Sequence, residues 1–243
     1  MGRAGRWMNL VCVLLLANVT LPAVQASEIH DPWENVNRKV FKFNDFLDRW
    51  MLKPVARGYR KVVPAPVRRS VGNFFRNLDT PMTAVNQFLQ GKAGEGVSDL
   101  GRFVVNSTLG IGGLFDPATR MGFAKHQEDF GQTFGRWGTG SGNHVVLPLR
   151  GSSTVRDTFG LVLDTLTNPI RLISPNELEY GLRGVSVVDT RTDLLSAESL
   201  MKEGGDSYLF QRDAFLQRRE FLVHDGEAEE SDPFLDEEWS EED

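Results

Sequence analysis

The chain has 243 residues, of which 40% are apolar and 25% are charged, and its formal net charge is -6. Its single cysteine, Cys12, excludes an intramolecular disulfide, so we expect the fold to be stabilised by its packed core alone. No stretch is both long enough and apolar enough to cross a bilayer, and the chain that follows the N-terminal segment is long enough for one domain.

The N-terminal segment predicts export. Arg3 and Arg6 precede an apolar run from Leu10 to Ala17, and Val24-Gln25-Ala26 offers small residues where a signal peptidase reads its -3 and -1 positions. We therefore expect residues 1–26 to be a cleaved export signal and the mature protein to begin at Ser27. Nucleic acid is not an expected partner of an exported protein.

The segment around Cys12 bears on anchoring. A bacterial lipoprotein signal places a small residue before the cysteine, whereas this chain has Val11 there. We therefore expect no acyl chain at this position. An uncleaved signal acting as a single-pass anchor is the alternative, although the apolar run is shorter than a spanning helix requires.

Five stretches of the chain repeat apolar residues at helical spacing. At 3.6 residues per turn each set lies on one face of a helix, so the sequence predicts a collection of one-sided helices. Such faces need an apolar partner, which is a common core in a soluble protein and the edge of the bilayer in a peripheral membrane protein. The sets are Val36, Val40, Phe43, Leu47, Trp50 and Met51; Val67, Val71, Phe74, Phe75 and Leu78; Ala84, Val85, Phe88 and Leu89; Val97, Leu100, Phe103 and Val104; and Val155, Phe159, Val162, Leu163 and Leu166.

Capping and breaking residues predict the helix ends in the first half of the chain. Asp31, followed by Pro32 and Glu34, is typical of a helix start, and Thr80 before Pro81 is typical of another. Gly91 is expected to end the helix that Thr80 begins. The prolines at positions 54, 64 and 66 make residues 54–66 a connector with at most a short helix.

Similar signals predict two helices near the C-terminus. Ser174, Pro175 and Glu177 indicate the start of a long helical stretch that runs toward Lys202. After two glycines, Asp206 can cap a last helix that ends at about residue 222.

The middle of the chain is rich in glycine. The segment Leu109–Pro117 predicts an apolar turn, and from Phe130 to Gly151 inclusive there are six glycines. Val145–Leu149 is expected to form one short strand, and Thr133–Trp137 another. Tight turns with no binding role are the alternative interpretation of this composition.

Charge is unevenly distributed. Eight basic residues and no acids lie from Arg49 to Arg76, and this basic surface beside amphipathic helices suits anionic lipid head groups. A solvated face is the alternative. Eleven Asp or Glu residues and no Lys or Arg lie from Asp225 to Asp243, which predicts a disordered, solubilising tail.

The sequence gives no indication of an enzyme. No serine lies in a G-x-S-x-G setting, and the four histidines have no metal-ligand spacing, so we expect no catalytic residue, no metal and no cofactor. His126 lies near Glu128 and Asp129, where a hydrogen-bonding role in a loop or helix end is favoured over a metal site.

Ordered sequence blocks run from Asp31 to about Phe221. They are Asp31–Arg38 followed by Phe43 and Asn44; Val71–Leu78; Pro81 and Val85–Gly91; Arg102 and Phe103; Asn106–Asp116; Glu128–Gly131 with Gly135; and Leu147–Asp157. In this order they resemble the VacJ/MlaA proteins of Gram-negative bacteria, many of which are lipoproteins.

The resemblance implies an all-α, single-domain fold. It would comprise residues 27–223, between the signal peptide at 1–26 and the acidic tail at 224–243. Amphipathic helices would form a ring embedded in the inner leaflet of the outer membrane, on its periplasmic side, with a short glycine-rich hairpin and a channel. The implied function is retrograde transport, in which mislocalised phospholipids are removed from the outer leaflet and passed to a periplasmic lipid carrier, in association with a trimeric porin. A soluble periplasmic binding or scaffold protein is the alternative function.

Three sets of residues are candidates for these roles. The channel and its gate are assigned to Gly110, Gly112, Gly113, Leu114, Phe115, Phe130, Phe134, Trp137, Val145, Val146 and Leu149. The membrane-facing set is Val40, Phe43, Leu47, Val71, Phe74, Phe75, Phe159, Val162 and Leu163, and the head-group set is Arg57, Arg60, Lys61, Arg68 and Arg69.

Overall fold

The computed structural model describes residues 31–170, 176–196 and 206–226, and this part of the chain is mostly helical, as the predicted fold class requires. The helices are α1 (Glu34–Leu47), α2 (Lys53–Val62), α3 (Ala65–Leu89), α4 (Ala93–Thr108), α5 (Pro117–Arg120), α6 (Phe130–Arg136), α7 (Val155–Thr167), α8 (Asn176–Leu194) and α9 (Ser207–Val223). The strands are β1 (His144–Leu147) and β2 (Gly151–Thr154). The predicted signal peptide, the cap at residues 174–175, Lys202 and the tail beyond residue 226 lie outside the described residues.

The first helical segment is longer than the sequence predicts. A π-helical turn, Asp48–Leu52, joins α1 to α2 without a break in the right-handed helical conformation. Pro54 follows the π-helical turn directly, at the second residue of α2, and does not end the helix there. Residues 54–66 do contain a short helix, as expected, but the expected break from the preceding helix is wrong, because only the link between Val62 and Ala65 interrupts the helices.

The predicted cap at Asp31 is also wrong. Helix α1 begins at Glu34 after Trp33, and no side chain caps it. The Asp31 carboxylate instead accepts hydrogen bonds from Asn37 Nδ2, at 3.0 Å, and from the Tyr208 hydroxyl. The residue thus joins the start of α1 to the start of α9. By contrast, the predicted cap at Asp206 is confirmed, since its carboxylate accepts from the Tyr208 amide at 2.9 Å.

Helix α3 continues through Pro81, so the predicted helix start at Thr80 is wrong. The Thr80 hydroxyl donates to the Arg76 carbonyl at 2.9 Å, one turn earlier in the same helix. Packing of α3 against α4 offsets the local cost of this proline, since no other pair of elements in the described chain makes a more extensive contact. The predicted end is confirmed, since α3 stops at Leu89 and Gly91 has a φ of +82°, which favours glycine.

One small antiparallel hairpin interrupts the helices. Strand β1 pairs with β2, with His144 opposite Thr154 and Leu147 opposite Gly151. The expected strand at residues 133–137 is wrong, because those residues lie in α6 and in its C-terminal cap. The Asp129 carboxylate caps α6 by accepting the Gln132 amide at 2.8 Å, which the glycine-rich composition conceals.

Two asparagines of α1 hold the hairpin. The Asn37 side chain donates to the His144 carbonyl at 3.0 Å and accepts the Val146 amide at 2.9 Å. Asn44, two turns later, donates to the Leu147 carbonyl at 2.9 Å and accepts the Leu149 amide at 2.8 Å. These side-chain amides satisfy the open edge of β1 in the way a third strand would.

The distribution of polar and apolar side chains is the reverse of that in a soluble protein. Among the described residues, 17 buried side chains are polar or charged and only 8 are apolar. Large apolar side chains are instead on the outside, including Trp50 at 75% exposure and Phe159 at 65%. The interior is therefore polar, and the apolar helix faces have no protein partner in the described chain.

Candidate functional site

A cavity of about 930 Å³ lies among α3, α4, the segment that precedes α6, the C-terminal end of α7, and α9. Its volume is at the upper end of the range for ligand-binding pockets. The wall is strongly charged, with eight carboxylates and five Lys or Arg side chains. These are Asp79, Glu95, Asp99, Asp116, Glu128, Asp129, Asp164 and Asp225, and Arg76, Arg102, Lys125, Arg218 and Arg219.

One side of the cavity is built on α4. Arg102 donates to Asp116 at 2.7 Å, and Lys125 contacts the same carboxylate at 2.9 Å. Burial opposes ionisation of Asp116, but the hydrogen bonds from Lys125 and Thr119 and the Arg102 charge outweigh it and lower its pKa. The carboxylate thus stays charged and fixes the loop after α4.

The opposite side is closed by a buried cluster on α9. Arg219 donates to both oxygens of Asp129, at 2.6 and 2.9 Å, and to Asp157 at 3.0 Å. Burial opposes ionisation of Asp129, yet the hydrogen bonds and charge of Arg219 lower its pKa. A single guanidinium therefore ties α9 to the start of α6 and to α7.

Further pairs complete the wall between these sides. Lys92 contacts Glu128 at 3.4 Å and also pairs with Asp225, which follows α9. His126 Nδ1 lies 3.0 Å from Asp99, a carboxylate that is 1% exposed. Burial raises the pKa of Asp99, and the hydrogen bond with His126 partly offsets this effect. The predicted loop role of His126 thus corresponds to a contact with α4.

Besides the exposed Glu95, two carboxylates of the wall, those of Asp79 and Asp164, have no cationic partner within salt-bridge distance in the described chain. The Asp79 carboxylate accepts no hydrogen bond within the described residues, and the Asp164 carboxylate accepts only the Phe130 amide, at 3.2 Å. Burial raises the pKa of each to about 6, and the nearby charge of Asp129 adds to the effect at Asp164. Asp79 is surrounded by protein, yet its side chain is exposed to the cavity.

Polar and apolar side chains follow parallel stripes on the same helices. On α4, Asp99, Arg102 and Asn106 are buried while Val97, Leu100 and Val104 are exposed. On α7 the inner stripe is Asp157, Gly160 and Asp164, and the outer stripe is Phe159, Val162 and Leu166. Each stripe has the spacing i, i+3, i+7, and the two are offset by two residues, which places them on opposite faces. The helices therefore separate a polar interior from an apolar exterior.

None of the eleven channel candidates lines the cavity. Gly110, Gly113 and Val146 are buried elsewhere, Phe130, Phe134 and Val145 are half-buried, and Gly112, Leu114, Phe115, Trp137 and Leu149 are exposed. Gly113 contributes indirectly, because a Cβ there would come within 2.5 Å of Asn77, whose side chain is part of the wall. The glycine-rich turn thus supports the wall from behind.

The membrane-facing candidates divide by exposure. Phe43, Phe159 and Val162 are exposed, and Val40, Leu47, Val71, Phe74 and Leu163 are half-buried. Phe75 is 8% exposed and packs edge-on against Phe74, with ring centroids 5.4 Å apart, so its placement on an outer face is corrected.

The head-group candidates also lie away from the cavity. Arg57, Arg60, Lys61 and Arg69 are exposed on α2 and α3. Arg68 is partly buried, and its guanidinium donates to the carbonyls of Arg60, at 3.1 Å, and Val63, at 2.7 Å. Arg68 therefore supplies hydrogen-bond donors to backbone carbonyls at the C-terminal end of α2.

The chain is similar in sequence to one protein family and to several of its relatives over most of its length. Residues 29–222 match the family described as "MlaA lipoprotein". The "Intermembrane phospholipid transport system lipoprotein MlaA" of Escherichia coli K12 is 37% identical over 202 residues, which cover 81% of this chain and 80% of the relative. The Haemophilus influenzae protein of that name is 32% identical over 85% of this chain and 84% of its own length. An uncharacterized protein of Rickettsia felis is 38% identical over 81% of this chain and 79% of its own.

A solved structure has the same fold. It is described as "Structural basis for maintenance of bacterial outer membrane lipid asymmetry", and its chain is 37% identical with a TM-score of 0.72. The match covers 80% of this chain and 99% of the other.

Proposed function

The chain belongs to the MlaA lipoprotein family, and from that premise we propose that it is the outer-membrane component of an intermembrane phospholipid transport system. It removes mislocalised phospholipids from the outer leaflet and passes them through its polar cavity toward a periplasmic lipid carrier. This function maintains the lipid asymmetry of the outer membrane, which is the subject of the matching solved structure. A trimeric porin is the proposed membrane partner.

The reversed distribution of side chains is the observation that carries this proposal. A protein that moves a phospholipid needs an apolar outside that lies among acyl chains and a polar inside that accommodates the head group, since an unpaired phosphate in hydrocarbon is prohibitively unfavourable. The opposed stripes of α4 and α7 supply both surfaces. A soluble scaffold would instead bury its apolar faces, so the alternative function is disfavoured.

The depth of the protein in the membrane follows from its helices. Among the described helices none is long and apolar enough to cross a bilayer. One-sided helices of this kind lie within the boundary between head groups and acyl chains. We therefore place the apolar exterior in one leaflet, the inner leaflet of the outer membrane, with the basic residues of α2 and α3 near the lipid head groups.

Anchoring is a separate part of the proposal. The relatives of Escherichia coli and Haemophilus influenzae are named as lipoproteins, whereas Val11 precedes Cys12 in this chain. The expectation of an unacylated chain that begins at Ser27 thus conflicts with the lipoprotein naming of the family, and we propose only that the apolar exterior contributes to membrane association whether or not an acyl chain is present. Intact mass of the purified protein tests for acylation, and a diacylglyceryl group on Cys12 would refute the expectation of an unacylated chain.

Membrane association is tested with two phenylalanines of opposite exposure. Phe159→Asp places a carboxylate on the outer face and is expected to release folded protein into the soluble periplasmic fraction. Phe75→Asp buries the same charge in the interior and is expected to lower protein abundance through misfolding. Ser196→Asp, at an exposed polar position, is the matched control and should remain in the membrane pellet.

The measurement is fractionation without detergent, combined with assays of surface-exposed phospholipid and detergent sensitivity in cells. Normal abundance and undiminished pelleting of Phe159→Asp would contradict the membrane-facing role of α7.

A further inference from the structure

The turn that follows α4 presents large apolar side chains to the outside. Leu109 and Ile111 are 68% and 65% exposed, Phe115 is 56% exposed and Leu114 is 38% exposed. None of the four lines the cavity, and no charged residue occurs at positions 103–115. Residues 109–115, which we call the apolar tip, therefore form an uncharged surface that the polar cavity does not explain.

The backbone of the apolar tip is hydrogen-bonded to itself and to the last turn of α4. Six of its amides donate to carbonyls of residues 105–111, over distances of 2.9–3.4 Å. The Leu114 carbonyl accepts the side-chain amide of Asn73 at 3.3 Å. An amide without a partner is strongly unfavourable beside hydrocarbon. These bonds therefore allow the side chains of the tip to enter an acyl layer while its backbone stays at the boundary of that layer.

The charged residues that flank this stretch pair with each other in the cavity wall. Arg102 donates to Asp116 at 2.7 Å, and their side chains are only 9% and 15% exposed. Asn106 links the same two ends, because its Nδ2 donates to Asp116 at 3.2 Å and its Oδ1 accepts the Ala118 amide at 3.1 Å. Polar groups thus hold the base of the tip together, and the side chains that the tip exposes are apolar.

Ile111 has a backbone conformation that isoleucine rarely adopts. Its φ of +54° lies in the left-handed region, where a β-branched residue is strained and glycine or asparagine is favoured. Contacts within the described chain leave most of its side chain uncovered, so they do little to offset this strain. Strain of this kind is found at positions where the side chain has a role beyond local stability.

Acyl chains match this surface better than a protein partner does. A protein interface combines apolar contacts with hydrogen bonds and with charged groups at its rim. The apolar tip has no charged group, and six of its amides are already bonded within the chain. What it offers is apolar contact without direction, and this is the contact that hydrocarbon provides.

We propose that the apolar tip inserts its side chains into the acyl layer of the membrane and that Ile111 is one of its membrane contacts. This inference rests on the proposed function, which places the protein at the outer membrane, and it identifies a segment that penetrates the lipid. The tip acts as an anchor next to the cavity wall, since its base is formed by Arg102 and Asp116.

The first test measures vesicle binding of a variant at Ile111. Purified full-length protein is mixed with vesicles of phosphatidylethanolamine and phosphatidylglycerol, and the bound fraction is separated by flotation. Ile111→Asn should lower the partition coefficient by about tenfold, the size expected when one large aliphatic side chain no longer enters hydrocarbon. Because asparagine tolerates the left-handed conformation, the midpoint of urea unfolding should be unchanged or higher.

Two further variants serve as controls. Ile111→Leu keeps a large apolar side chain at the same backbone position and should bind vesicles as the unsubstituted protein does. Thr190→Asn introduces the same amide at an exposed polar position of α8, outside the tip, and should also leave binding unchanged.

A fluorescent reporter identifies what covers the tip. Phe115→Trp is made in a chain whose five native tryptophans are replaced by phenylalanine. In vesicles, lipids with brominated acyl chains should quench this tryptophan, and aqueous iodide should quench it poorly.

The outcomes are distinguishable. Undiminished vesicle binding of Ile111→Asn would overturn the inference and leave the transport function standing, and so would a reporter that iodide quenches and brominated lipid does not. Reduced binding joined to a lower unfolding midpoint would assign Ile111 to the fold and also overturn the inference. Failure of the unsubstituted protein to bind vesicles would overturn both the inference and the membrane location that the proposed function requires.

Discussion

Buried charges in this protein are compensated one side chain at a time. Arg219 pairs with Asp129 and Asp157, and Arg102 pairs with Asp116. These pairs lie in the polar interior that a soluble protein would fill with apolar side chains. Each charged side chain therefore compensates the buried charge of its partner. Removal of one side chain leaves the other as an uncompensated buried charge.

The first prediction concerns Arg219. Replacement by leucine leaves the carboxylate of Asp129 without a guanidinium and leaves Asp157 with that of Arg156 alone, which should lower the free energy of unfolding by about 3–5 kcal/mol. Arg218→Leu is the matched control, because this neighbouring side chain is exposed and makes no ion pair within the described chain, and it should change stability by less than about 0.5 kcal/mol. Urea unfolding in mild detergent measures both. Equal effects of the two variants would contradict the prediction.

The second prediction concerns the pH dependence that Asp79 introduces. Its pKa rises from the ordinary 3.8 to about 6 on folding because burial disfavours the charged form. The resulting destabilisation is absent below pH 4, grows as the pH rises through 4 to 6, and is complete above that range. Asp79→Asn should therefore gain about 1 kcal/mol of stability at pH 7.5, a figure reduced for screening by cavity water, and nothing at pH 4. A variant that is less stable than the parent at pH 7.5 would contradict this.

At the scale of elements, helical periodicity in the sequence predicts most of the helices, whereas capping and helix-breaking residues predict their ends less well. Gly91 and Asp206 act as expected, because their roles depend only on adjacent backbone. Pro81 does not mark a helix start, because α3 continues through it and packs against α4. Asp31 does not cap α1, because its side chain bonds to Tyr208 of α9. Such contacts cannot be derived from local rules.

The cavity was missed for a different reason. The residues that the sequence suggests for a channel are glycines and large apolar side chains, whereas the cavity wall is formed by polar side chains on the helices themselves. The signal was available, since Asp99, Arg102 and Asn106 repeat the spacing of the apolar stripe on the same helix. Periodicity shows that a helix has two different faces, but it does not show which one points inward.

The third prediction concerns the contact between α1 and the hairpin. Asn37→Ala leaves the His144 carbonyl and the Val146 amide without partners in a buried setting, and should lower stability by about 2 kcal/mol. Asn44→Ala acts at a more exposed site and should have a smaller effect, of about 1 kcal/mol. Hydrogen exchange should accelerate at the Val146 amide in the first variant and at the Leu149 amide in the second.

Asn35→Ala is the control for the hairpin contact, because Asn35 is an exposed residue of the same helix. Unchanged exchange in all three variants would show that the hairpin does not depend on these side chains.

At the scale of the whole molecule, the polar interior and the apolar exterior both follow from the orientation of the same helices. A helix that turns its charged stripe toward a cavity necessarily turns its apolar stripe away from the protein. The exposed apolar surface is thus a consequence of how the polar cavity is built, and on the proposed function this surface is covered by lipid. Detergent or lipid should accordingly be required to keep the purified protein in solution.

The last prediction tests whether the apolar exterior is in the bilayer at sites distant in the sequence. Trp50, in the π-helical turn, is 75% exposed, and Trp137, after α6, is 53% exposed. In variants that retain only one of these tryptophans, with phenylalanine at the others, brominated lipids should quench the fluorescence of both. Aqueous iodide should quench both poorly in vesicles. If lipid quenches Trp50 alone, the protein is attached by α1 and the turn that follows it, and the surface around Trp137 faces water or a partner protein.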